Sequence, residues 1–260
     1  MAESEPSFQE VMDQMFQHID ERDINHLKEL IDSEISEGDL KTNFDKSFQD
    51  FQTDLTSLKS TGDEDKVDRR IYAYAWELIL LISALKADEV SVMNFSFKHS
   101  GREKDLLLKF NDKQYHVEIT SKDDITRSKI EKAELVEDTS GTAKELSEKN
   151  IGDNAIFDYD LSNKFDIPET EKVLFIYQMK SSFFHLEEYL NSINVAVSEF
   201  DFKYILFNNL SSTAGRFVRE YPDREVHAWH NFEKEDLFLN QIMDSILQTL
   251  KDLKNSKGES

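Results

Sequence analysis

Two carboxylates stand inside the most strand-like segment of the chain. In KDLLLKFNDKQYHVEITSK, residues 104–122, Asp105 opens one apolar run and Glu118 interrupts the next. Extended backbone turns successive side chains to opposite faces. Asp105, Leu107 and Lys109 therefore share one face of their strand. His116, Glu118, Thr120 and Lys122 share one face of the following strand, with Tyr115, Val117 and Ile119 behind them. The intervening NDK reads as a hairpin turn. A two-residue turn at Asn111-Asp112 sets Asp105 against Glu118. A turn at Asp112-Lys113 sets it against Thr120, still beside Glu118, and a three-residue loop without a bulge sends the two carboxylates to opposite faces. Opposed carboxylates repel, and in a half-buried site one of them tends to hold a proton. A divalent cation relieves both problems, because Mg²⁺ is held by one or two carboxylates together with waters and phosphate oxygens. On this reading, removing either carboxylate relieves repulsion in the metal-free chain. Lys122 is then suited to orienting or deprotonating an attacking water, or to offsetting charge on a phosphate. The plainer alternative is a solvated strand face that carries charges without using them.

The elements that must position these residues follow from periodicity. Residues 1–65 read as helical: Phe8, Val11, Met12, Met15, Phe16 and Ile19 recur at helical spacing, as do Ile24, Leu27, Leu30 and Ile31. Phe44, Phe48, Phe51, Leu55 and Leu58 form a heptad-like stripe, suited to packing within the chain or to a homodimer or protein-partner seam. SEGDLKTN reads as a turn, and STGDEDK, residues 60–66, as a linker. From Asp68 to about Lys86 a helix follows whose apolar residues nearly encircle it, which predicts burial on most sides. Strands are expected at Val90–Lys98, Lys104–Phe110 and Gln114–Ser121, then a polar helix over Ile130–Asn150. The continuous apolar runs VLFIYQM (173–179) and YILFNN (204–209) suit strands buried on both faces. Phe183–Ile193 and Glu235–Lys254 read as helices. The fold class is α/β, with an acidic helical region at 1–65 and an α/β core with a C-terminal helix at 66–260.

A helix with an embedded Glu, three strands, a helix and a buried strand resemble the PD-(D/E)XK nuclease superfamily, a restriction-endonuclease-like α-β-β-β-α-β core. The resemblance spans roughly residues 66–180. It rests on Glu77 in YAYAWELIL, Asp105 in EKDLLLKF and Glu118 in YHVEITSK. It implies a Mg²⁺- or Mn²⁺-dependent endonuclease that acts on nucleic acid, DNA rather than RNA, with Asp105 and Glu118 as metal ligands and Glu77 and Lys122 in catalysis. Two positions depart from the pattern: Lys104 stands where Pro precedes the Asp, and Thr120 stands where the motif lysine belongs. Lys122 lies two residues beyond Thr120 and therefore on the same face as Glu118, about 6–7 Å past the motif position, and Lys129 or Lys132 on the next helix are competing amines. His116, Thr120, Gln178 and Lys129 are the candidate substrate contacts. Glu77 has a second reading as an ion-pair partner of Arg69 or Arg70, and Tyr177-Gln178 a second reading as a plain strand end.

Charge and composition bound the alternatives. The 260 residues carry a formal charge of −22, which taken alone argues against a phosphate backbone as partner. The distribution matters more. Residues 1–65 hold 18 acidic and 5 basic residues, residues 133–260 hold 24 and 13, and residues 66–132 hold 11 and 13. The segment around Asp105 and Glu118 is the one that does not repel a polyanion. Two non-enzymatic readings therefore stay open: an inactive nuclease-like binding module, and an acidic imitation of DNA. The absence of cysteine excludes disulfides, zinc–cysteine sites and cysteine nucleophiles, and it removes the Cys pair that a deaminase reading of His116-x-Glu118 needs. His227 and His230 lack a third ligand nearby in sequence, SSTAGRFVRE is not a phosphate-binding loop, and no Gly-x-Ser-x-Gly occurs. Arg216 and Arg219 suit either a nucleic-acid backbone or their neighbours Glu220 and Asp223. The acidic start MAESEPSFQE has no apolar stretch, and the longest apolar run is broken by Glu77. A cytoplasmic protein with no membrane partner is the expectation.

Overall fold

A computed structural model describes residues 19–121, 164–177, 203–207, 228–229 and 237–258. The chain is α/β. Its described elements are helices α1 (Glu21–Glu34), α2 (Asp39–Thr61) and α3 (Glu64–Lys86), strands β1 (Val90–His99), β2 (Arg102–Phe110), β3 (Lys113–Ser121), β4 (Thr170–Tyr177), β5 (Tyr204–Phe207) and β6 (Ala228–Trp229), and helix α4 (Leu237–Gly258). They divide between two compact units. One holds the described residues up to Ile119, Glu169–Glu171 and α4; the other holds most of β4 with β5 and β6.

The first unit is built around α3. Ile71, Tyr74, Trp76, Leu78, Ile79, Leu81 and Ile82 are all buried, so apolar residues do surround this helix, and it touches α1, α2, α4, β1 and β2. Helix α1 starts at a capping box: the Asp20 carboxylate accepts the Arg22 and Asp23 amides at 2.7 and 3.4 Å, and the Asp20 amide donates to Asp23 Oδ2 at 2.8 Å. Its face of Ile24, Leu27 and Ile31 is buried. The aromatic stripe of α2 is consumed inside the chain. The Phe44 ring lies 6.3 Å from that of Phe95 on β1, and Phe51 stacks on Tyr74 of α3 at 4.3 Å. Burying each such ring is worth about 1.5–3 kcal/mol.

The segment read as a linker is a tight helix junction. Gly62 ends α2 with a left-handed φ of 70°, and the next residue, Asp63, caps α3 by accepting the Lys66 amide at 3.2 Å. Gly and Asp carry out two helix terminations here, so the composition of a linker marks a corner within one unit, and the compact units do not divide at 65/66.

Strands β1, β2 and β3 form an antiparallel meander. Ser100 and Gly101, both at positive φ (50° and 79°), turn β1 into β2. A bulge between Val92 and Asn94 shifts the β1–β2 register, and Met93 there is 48% exposed. Asn111, at φ 52°, opens the turn from β2 to β3, a conformation Asn tolerates. The helix-facing side carries Phe95, Leu106, Leu108, Phe110, Tyr115 and Val117, all buried. Helix α4 closes over part of it: Phe238 stacks on Tyr115 at 3.9 Å. Against α3, the Ser245 hydroxyl donates to the Ser83 carbonyl at 2.6 Å, and the Ser83 and Thr249 hydroxyls meet at 3.1 Å.

In the second unit β4 and β5 run parallel, with Val173 opposite Tyr204, and β5 and β6 run antiparallel, with Ile205 opposite Trp229. Consecutive Val173, Leu174 and Phe175 are buried, as a strand covered on both faces requires. The helices expected over 130–150 and 183–193, and the part of the N-terminal stripe before Ile19, lie outside the described residues. No helix among the described residues is long and apolar enough to cross a membrane.

Candidate functional site

The turn decides where the carboxylates go. Phe110 pairs with Lys113 and Leu106 with Val117. This is the register of the two-residue Asn111-Asp112 turn, and one step further along it Asp105 stands against Glu118. The described ladder stops at Leu106–Val117. Beyond it the Asp105 carboxylate takes over: the Ile119 amide donates to Asp105 Oδ2 at 2.6 Å. A side chain thus satisfies a backbone donor of the neighbouring strand, in a charge-assisted bond.

On β3 burial does not alternate. Tyr115, His116, Val117, Glu118 and Ile119 are all buried. His116 is 0% exposed and Glu118 1%, so the reading of these charges as a solvated strand face fails. Burying a carboxylate is unfavourable unless it is hydrogen-bonded, and the neighbour two residues back answers this: His116 Nε2 lies 2.8 Å from Glu118 Oε1. With Glu118 ionised, Nε2 carries the proton and donates. His116, expected as a substrate contact, is instead enclosed and bound to Glu118. Asp105 is half-buried and is the more accessible of the two carboxylates.

Glu77 has its side chain 24% exposed, with Oε1 4.0 Å from Arg70 Nη1. Arg70 also reaches Asp54 at 3.3 Å and lies over the Phe51 and Tyr74 rings at 5.4 and 5.6 Å. The ion-pair reading of Glu77 therefore has a partner in place. Burial is the main cause that pushes the Tyr74 hydroxyl in this group well above its usual range, with Ser47 opposing it and Glu77 adding to it. Thr120 belongs to β3; Lys122, Lys129, Lys132, Gln178, Arg216, Arg219, His227 and His230 lie outside the described residues.

Two features were not anticipated from the sequence. The spacing of His116 and Glu118 already put them on one face, but not in contact. Lys104 is 1% exposed and alternates with Leu106 and Leu108 on the helix-facing side of β2, the opposite side from Asp105. Among the described residues no group of three or more His, Asp or Glu gathers as a metal-holding cluster. No protein-family profile matches this chain, and neither curated proteins nor solved structures show significant similarity to it.

Proposed function

We propose that the protein is a divalent-metal-dependent nuclease in which Asp105 and Glu118 hold the ion. The carrying observation is that a fully buried Glu118 and a half-buried Asp105 lie on neighbouring strands, each one residue past the last described pair, Leu106–Val117, and each making a hydrogen bond. Such a donor set fits a hard cation. Carboxylate oxygens are what Mg²⁺ and Mn²⁺ take, and ligating carboxylates are held in turn by outer partners. Here those partners are the Ile119 amide for Asp105 and the His116 ring for Glu118. A bound ion would activate water and stabilise charge on a phosphodiester. Lys122 is the amine we assign to the attacking water or the phosphate. Glu77 keeps a catalytic role only if it leaves Arg70. The near-neutral charge of residues 66–132 within a −22 chain supports a nucleic-acid substrate met at this face, and DNA is favoured by the family resemblance.

A second reading, an inactive nuclease-like module that binds without cutting, is favoured by Thr120 at the lysine position and by the lack of a three-ligand cluster among the described residues. Incubating the full chain with plasmid, single-stranded DNA and RNA, with Mg²⁺, Mn²⁺ or EDTA, separates the two. Cleavage that needs metal and is lost in Asp105→Ala supports the nuclease. Salt-sensitive binding without cleavage supports the module, and neither binding nor cleavage at any salt rejects both.

A further inference from the structure

Resting on the metal reading above, the geometry points to His116 as the positioning residue that sets Glu118 for the ion, not as a group that meets substrate. The two side chains are neighbours on one face of β3, two residues apart. Extended backbone separates such positions by about 6–7 Å, so an imidazole and a carboxylate meet only when both lean along the strand. They do meet, with Nε2 2.8 Å from Oε1. Both are closed off, at 0% and 1% exposure, so no molecule of substrate size reaches the imidazole in this state. A buried ring bonded to Oε1 restricts the χ3 freedom of the carboxylate. Asp105 receives the equivalent service from the Ile119 amide at 2.6 Å. One carboxylate of the pair is therefore fixed by backbone and the other by an imidazole, and only the second can be changed by substitution without moving the main chain.

The test uses Mn²⁺ alone, titrated into the full chain by isothermal calorimetry, so it does not depend on any cleavage. His116→Leu removes the donor. His116→Gln keeps an amide nitrogen near the Nε2 position, and His116→Asn moves it back to the Nδ1 position. The expected result is a loss of Mn²⁺ affinity of about 10–100-fold for Leu and Asn, the range for outer partners of metal ligands, with Gln within about threefold of the parent. Glu118→Gln should weaken binding, and adding His116→Leu to it should change nothing more. If His116→Leu proves too unstable by circular dichroism, the Gln and Asn pair decides: equal affinities in the two overturn the positioning role. Parent-like affinity in both Leu and Asn overturns it too and leaves the metal site standing. A parent that binds no Mn²⁺ overturns the metal reading itself, and the positioning role with it.

Discussion

Charge is handled in two ways in this molecule. Along α1 and α2 it forms pairs on the outer surface, Lys28 with Asp32, Lys41 with Asp45 and Lys59 with Glu21. On β3 a carboxylate is enclosed against an imidazole, Glu118 against His116. The first group is partly exposed at the surface, where water screens the Coulomb attraction and each pair is worth about 0–1 kcal/mol. The second is a hydrogen bond to a carboxylate that water does not reach, worth about 1.5–3 kcal/mol. A chain carrying −22 can place acidic groups on its surface almost without consequence. An acidic group kept at 1% exposure needs a reason, and holding a cation is the reason argued here.

The largest effect should follow from Glu118→Ala. Repulsion between opposed carboxylates alone would make this substitution harmless in the metal-free chain. The His116 contact reverses that expectation: the buried Nε2 loses the Glu118 acceptor, and a loss of about 2–3 kcal/mol, the upper part of the range for an orphaned buried group, is expected in urea unfolding. A loss under about 1 kcal/mol would place the pair with the surface ones. Asp105→Ala comes next. It leaves the Ile119 amide without the Asp105 acceptor, a loss of about 1–3 kcal/mol, and it should abolish any metal-dependent cleavage. Cleavage retained at the parental rate would remove Asp105 from the site.

Tyr74 provides a pH-dependent contrast within the helical layer. Burial raises its folded-state pKa above the ordinary value of 10.0, so the folded chain binds its proton more tightly than the unfolded one. Stability from this group is complete below that value and falls as pH rises above it. Between pH values of about 10 and 11.5 the parent should therefore lose stability more steeply than Tyr74→Phe. Parallel slopes would show that the hydroxyl is hydrated when folded. The smallest effect belongs to Lys28→Ala, which removes an i,i+4 partner of Asp32. The Asp32 carboxyl is pushed up by burial but held below its ordinary value on balance by Lys28 and Lys41. Its contribution is present above pH 3.8 and is lost as pH falls through the lower folded value. At neutral pH the substitution should change stability by about 0.5 kcal/mol or less. A change above about 1.5 kcal/mol would mean the surface pairs are not the weak ones.

Much of the scaffold was legible in the sequence because its signals were local. The alternation of DLLLKF and YHVEITS gave β2 and β3, and NDK marked the turn between them, but it left three registers open, of which the pairing of Phe110 with Lys113 selects one. The α2 stripe was equally clear, and its destination followed once Tyr74 and Phe95 supplied rings to meet it. STGDEDK misled because Gly and Asp serve helix caps as readily as linkers. The site was only half legible. Alternation says which face a residue takes but not what covers that face, so the complete burial of His116 and Glu118 could not be read from one strand. The same limit hid Lys104, whose charge suggested water while its place between Glu103 and Asp105 gave it to the core side.

The central claim is that the Asp105–Glu118 pair is a cation site and not a buried accident. Thermal unfolding of the full chain with increasing Mn²⁺ tests it most directly, because an ion that binds only the folded state raises stability as RT ln(1 + [L]/Kd), about 2.7 kcal/mol at one hundred times Kd. The account predicts a midpoint that climbs steadily with Mn²⁺ in the parent and stays flat in Asp105→Ala and in Glu118→Gln. A parent whose midpoint ignores Mn²⁺, or a rise that persists undiminished in both variants, would contradict it.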